Sequence, residues 1–114
     1  MGKVTIKNII KRKGNKPITC LTAYTESTAR IVGKYCDIVL VGDSVGMVLY
    51  GMKTTKDVDL KTMILHAKSV TKATTKSLVV VDMPYKTYNN KFQAFKNAKK
   101  IMKSTNCDAV KLEG

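Results

Sequence analysis

The sequence has no apolar stretch long enough to cross a membrane. Its longest runs, Ile38-Val39-Leu40-Val41 and Leu78-Val79-Val80-Val81, fall far short of the ~20 residues a bilayer-spanning helix needs. Mixed polar sequence, not an apolar secretory segment, follows Met1-Gly2-Lys3-Val4, so the expected compartment is the cytoplasm. Cysteine is sparse: Cys20, Cys36 and Cys107 show neither metal-cluster spacing nor an even set for a disulfide framework. They read as reduced, small apolar residues. A catalytic thiol is disfavoured, because His66 is the single histidine that could activate one. Arginine is nearly missing, with Arg12 and Arg30 the only two among 21 basic residues. A guanidinium is the better bidentate reader of phosphates and base edges, so this scarcity argues against specific nucleic-acid recognition despite a formal charge of +13.

What is present suits a domain with a buried core: 114 residues, 44% of them hydrophobic. The positive charge is mostly dispersed. The exception is residues 1–25, where Lys3, Lys7, Lys11, Arg12, Lys13 and Lys16 have no acid among them. A solvated lysine-rich surface is favoured there over a polyanion-binding arm.

Hydrophobic periodicity predicts an alternation of elements. Ile6, Ile9 and Ile10 mark a short amphipathic helix between Thr5 and Lys13, ended by Gly14-Asn15. Strand one is expected over 18–23, a helix over 26–35 and strand two over 37–41. A glycine-containing loop, Gly42-Asp43-Ser44-Val45-Gly46, is read as a pair of tight-turn glycines, since no Walker lysine or dinucleotide fingerprint accompanies them. The next helix starts near Asp59, a plausible N-cap, with Leu60, Met63, Ile64, Ala67 and Val70 as its apolar stripe. Strand three, 77–81, ends at Asp82 and is stopped by Pro84. Asn89 or Asn90 caps a third helix, on which Phe92, Phe95, Ala98, Ile101 and Met102 are assigned one face. Strand four, 108–112, ends at Glu113.

Strand and helix thus repeat three times before a fourth strand, a pattern that implies a parallel sheet buried between helices. Asp43, Asp82 and Glu113 occupy equivalent places just past or at the ends of strands two, three and four. In a parallel barrel those ends share one rim, and three carboxylates there could converge on a hard cation such as Mg²⁺. Strand-end acids also cap helices or bind water, and spacing alone leaves both readings open.

Four segments carry a resemblance: Leu21-Thr22-Ala23-Tyr24, Val39-Leu40-Val41-Gly42-Asp43-Ser44-Val45-Gly46-Met47, Val81-Asp82-Met83-Pro84-Tyr85 and Val110-Lys111-Leu112-Glu113-Gly114. Together they resemble ketopantoate hydroxymethyltransferases over nearly the whole chain. The resemblance implies an α/β fold, the N-terminal part of a (β/α)8 TIM barrel, with about four strands and three helices plus a short N-terminal helix. It divides the chain into 1–16, helix and basic segment, and 17–114, the first four strands of an incomplete barrel domain. The implied activity is hydroxymethyl transfer from 5,10-methylenetetrahydrofolate to 3-methyl-2-oxobutanoate, giving ketopantoate in pantothenate biosynthesis.

By position, Asp43, Asp82 and Glu113 resemble the family's Mg²⁺-linked acids, while Asp43, Ser44, Asp82 and Lys111 resemble its substrate contacts. The family's proton acceptor lies in a later part of the barrel, so no catalytic residue is assigned here and this chain is expected to be inactive alone. Partners implied are a 2-oxo acid, a folate, a homo-oligomer in full-length relatives and a separate C-terminal half; neither membrane nor nucleic acid is expected. Alternatives are a related metal-dependent 2-oxo-acid lyase or mutase barrel, and a noncatalytic remnant or basic binding module. Two departures stand out. Thr25 replaces the aspartate that usually follows Thr-Ala-Tyr, putting the helix cap in question, and Met52-Lys53-Thr54-Thr55-Lys56-Asp57 is unusually basic. His66 reads as a packed or interface histidine and not as a ligand.

Overall fold

The computed structural model describes residues 2–114 of the chain. Four strands, β1 (Cys20–Thr22), β2 (Ile38–Val41), β3 (Leu78–Asp82) and β4 (Ala109–Lys111), pair side by side in sequence order, all parallel. Around them run α1 (Ile6–Lys11), α2 (Glu26–Val32), α3 (Val45–Tyr50), α4 (Leu60–Ala73) and α5 (Lys91–Thr105). A sequential strand order with helical crossovers is the course of a barrel; a doubly wound sheet reverses its order midway. This is the first part of a (β/α)8 barrel.

Helix starts follow local chemistry. Thr25 accepts a hydrogen bond from the Thr28 N–H, Asp59 from that of Thr62 and Asn90 from that of Gln93, satisfying donors that a helix cannot satisfy itself. The threonine in place of the usual aspartate therefore still caps α2. Thr5 and Asn8 form a reciprocal capping box at α1.

The core lies between the sheet and α2, α4 and α5. Val39, Val41, Val79 and Val81 are fully buried against Ala29, Met63, Ala67, Val70 and Ile101. Alternation along a strand sends the neighbouring side chains to the other face, where Cys20 and Thr22 are exposed and Ile38, Leu40 and Val80 half-buried. β1 and β4 are the sheet's edges among the described residues.

Three expectations need correction. The loop after β2 contains the helix α3 and a 3-10 turn, Thr55–Asp57; α3 is apolar all round and only six residues long, too short to show a helical period. Gly42 does open a turn, its carbonyl accepting the Val45 N–H at 3.2 Å, but Gly46 lies inside α3, and neither has positive φ. They permit close approach: a Cβ on Gly46 would stand 2.5 Å from Val58 and 2.8 Å from Met52. On α5, Ala94, Ala98, Ile101 and Thr105 face inward, while Phe92 and Phe95 are 77% and 71% exposed. The aromatic residues do not share the buried face, since 3.6 residues per turn puts Phe92 on the side of the helix opposite Ile101 and Phe95 about 120° from it.

At the N-terminal ends of the strands the basic segment closes the sheet. The Val4 N–H donates to the Lys76 carbonyl at 2.7 Å, Lys3 pairs with Asp108 at 2.7 Å and Arg12 with Asp37 at 2.6 Å. No helix among the described residues is long and apolar enough to cross a membrane.

Candidate metal centre

Parallel strands bring their C-terminal ends to one rim, and their register decides what meets there. Val41 lies beside Val81, and Asp82 beside Lys111. Gly42 then stands level with Asp82, placing Asp43 just above it and Glu113 two residues past Lys111. One carboxylate oxygen from each of Asp43, Asp82 and Glu113 lies within 4.8 Å of the other two. A small cation that favours hard oxygen ligands would fit that donor set.

The three acids are held differently. Asp82 is buried; one carboxylate oxygen accepts the Asp43 N–H at 3.0 Å and the other accepts from Lys111 Nζ at 2.7 Å. Lys111 also donates to Glu113 at 3.0 Å, so its ammonium bridges two of the acids. Burial works against that ammonium, but its bonds to Asp82 and Glu113 outweigh the cost and raise its pKa. The carboxyl of Asp43 is pushed up by desolvation, then by the charges of Asp82 and Glu113. Like charges crowded in a half-buried site cost energy unless a cation joins them. Gly42 makes the crowding feasible: a Cβ there would lie 3.1 Å from Ser44 Oγ and 3.5 Å from an Asp82 carboxylate oxygen.

Ser44 follows Asp43, and its hydroxyl lies 2.6 Å from that of Tyr24. Beside the acids opens a cleft of about 290 Å³, lined by Asp43, Thr55, Lys56, Tyr85, Tyr88, Glu113 and Gly114. All five residues expected at the site, Asp43, Ser44, Asp82, Lys111 and Glu113, stand at this rim. His66 is not among the clustered acids; it bonds the Tyr24 carbonyl and the Tyr50 hydroxyl, each at 2.7 Å. Cys36 and Cys107 are buried, Cys20 is exposed on the inner face, and none is in a disulfide. Tyr24 belongs to a recognisable motif, yet no spacing rule could show that its phenol reaches Ser44.

Fold and rim define a class: a (β/α)8 barrel whose strand-end acids can gather a divalent cation. The sequence profile of ketopantoate hydroxymethyltransferase matches residues 3–114, and the chain belongs to that family. It is 55% identical over 113 residues to 3-methyl-2-oxobutanoate hydroxymethyltransferase of Bartonella tribocorum, covering 98% of this chain and 42% of the relative. It is 54% identical over 113 residues to the enzyme of the same name from Rhizobium etli, covering 98% and 41%. The chain therefore spans about two fifths of the length of these relatives. Among solved structures, a crystal structure of 2,3-dimethylmalate lyase, of the PEP mutase/isocitrate lyase superfamily, superposes with a TM-score of 0.67. That match covers 96% of this chain and 38% of the lyase at 13% identity, which is a likeness of fold.

Proposed function

We propose that the chain carries the metal-binding and oxo-acid-binding part of a cytoplasmic hydroxymethyltransferase that moves a one-carbon unit from 5,10-methylenetetrahydrofolate to 3-methyl-2-oxobutanoate. The observation that supports this most is the approach of Asp43, Asp82 and Glu113 to within 4.8 Å at one rim, in a chain of this family. Asp43, Asp82 and Glu113 would hold Mg²⁺, which supplies Lewis-acid polarisation of the oxo-acid carbonyl. The Ser44 hydroxyl, next to Asp43, donates to the substrate. Lys111 balances the carboxylates and offers a cation to the substrate's own carboxylate. Asp82 serves as the buried anchor, because it fixes both the Asp43 backbone and the Lys111 ammonium.

None of these groups is assigned the role of proton acceptor. The remaining strands of the barrel, in the same polypeptide or as a separate half, would provide it and complete a homo-oligomeric enzyme. General-base catalysis typically contributes about 10²- to 10⁴-fold, so turnover by these residues without that group is expected to be slower by about that factor. Titration with 3-methyl-2-oxobutanoate, followed by amide shifts in NMR, tests the reading: binding is expected to require Mg²⁺ and to be lost in Asp43→Asn. Binding that is indifferent to both would refute it.

A further inference from the structure

Ser44 occupies a position where serine ordinarily serves the helix. It is the N-cap of α3, yet its side chain accepts no hydrogen bond from the first turn, whereas Thr25, Asp59 and Asn90 each cap their helices in that way. An N-cap serine left unused by its helix forgoes the capping bond that usually stabilises the first turn. Its oxygen is engaged elsewhere, 2.6 Å from the Tyr24 hydroxyl.

Two hydroxyl groups bring two protons, and only one of them fits between the oxygens. A phenol is the more acidic donor and an aliphatic hydroxyl the better acceptor, so Tyr24 donates to Ser44. The Ser44 O–H is then free to point elsewhere, into a rim whose ionised carboxylates can only accept. An anionic substrate arriving beside Asp43 and Asp82 needs donors, and a donor whose direction is already set costs less entropy to use.

Tyr24 is itself secured. Its carbonyl can only accept, so His66 Nδ1 carries a proton and donates to it at 2.7 Å. In the neutral imidazole, Nε2 then accepts from the Tyr50 hydroxyl at 2.7 Å. Tyr50 is the last residue of α3 and Ser44 precedes its first. The phenol of Tyr24 and the imidazole of His66 thus tie down both ends of a helix too short to hold itself.

We propose that Tyr24 is a positioning residue that aims the Ser44 O–H at the carboxylate of a 2-oxo acid, with His66 fixing Tyr24 in place. This rests on the oxo-acid reading above. The chain, as wild type, Tyr24→Phe, Ser44→Ala and the double variant, is titrated with 3-methyl-2-oxobutanoate at saturating Mg²⁺, and Mg²⁺ affinity is measured separately in each. Tyr24→Phe should weaken the oxo acid about 3- to 10-fold and Ser44→Ala about 10-fold or more. The double variant should be no weaker than Ser44→Ala, because Tyr24 acts through Ser44. Mg²⁺ affinity should be unchanged; a residue that merely supported the loop would shift the adjoining Asp43 and lower it in parallel. Losses that multiply in the double variant, a Tyr24→Phe indistinguishable from wild type, or a parallel fall in Mg²⁺ affinity would each overturn the proposal. A wild type that binds Mg²⁺ and ignores the oxo acid overturns the substrate reading too, and is recognised without any variant.

Discussion

Acids stand at both ends of the sheet, and the two ends treat them in opposite ways. At the N-terminal ends of the strands Asp37 pairs with Arg12 at 2.6 Å and accepts the Thr19 N–H and hydroxyl at 3.0 Å. Asp108 there pairs with Lys3 and accepts the Val79 N–H at 2.8 Å. Each carboxylate has a cation of its own and a backbone donor. At the C-terminal rim, Asp82 and Glu113 share the ammonium of Lys111, and Asp43 has no ion pair among the described residues. The lower end pairs its carboxylates one to one with cations, whereas the upper rim crowds three carboxylates together with fewer ion pairs than acids.

The largest expected effect that separates the ends is on stability. Asp37→Ala strands the Thr19 N–H and leaves Arg12 without its partner, so urea unfolding should show a loss of about 1–3 kcal/mol, with Mg²⁺ affinity intact. A parallel loss of Mg²⁺ binding would erase the distinction between the ends.

Acid titration sharpens it. The Thr19 N–H, the Arg12 guanidinium and the Thr19 hydroxyl hold Asp37 below its usual 3.8. Its contribution is therefore present above the unfolded pKa and is lost as pH falls through the lower folded value. Asp43 is raised above 3.8 by burial and then by its acidic neighbours. The sign reverses: its ionised form burdens the fold, and that burden is relieved as pH falls through the raised value. Unfolding measured from pH 7 to pH 3 (about the span of ordinary carboxylate titration) should show two behaviours. Asp37→Asn flattens the acid loss of stability, and Asp43→Asn gives a gain near neutrality that shrinks in acid.

The smallest effect belongs to Lys3, whose pair with Asp108 is about a third exposed. Lys3→Ala should cost no more than about 1 kcal/mol and less in high salt; a larger loss in thermal melts would mean that the N-terminal segment matters through more than charge.

The sequence is legible where a period runs long enough and a cap precedes it. Asp59 and the stripe Met63, Ala67 and Val70 announce α4 correctly, and strand–helix alternation was sufficient to bring three acids to one rim, because parallel strands all point the same way. Legibility fails where tertiary contact overrides pattern. The six residues of α3 have no polar face to reveal a helix. The turn of α5 about its axis is set by Ala94 and Thr105 together with Ala98 and Ile101, and Ala94 and Thr105 are small or polar residues that a search for large apolar side chains overlooks. Tyr24 and Ser44 are twenty positions apart, and only the fold shows that their hydroxyls meet. Gly42 and Gly46 read as turn glycines in sequence, and Gly42 does open a turn, but what both supply, unseen in the sequence, is space for Ser44, Asp82, Val58 and Met52.

The central claim is that three carboxylates act as one cation site anchored on Asp82. Isothermal titration of Mg²⁺ into the wild-type chain and Asp82→Asn tests it most directly. Asp82 accepts the Asp43 N–H and the Lys111 ammonium and would itself be a ligand in the proposed site, and few protein carboxylates leave Mg²⁺ mostly hydrated. Weak binding is expected in the wild type and none detectable in Asp82→Asn; equal affinity in the two would mean that the three acids do not act together.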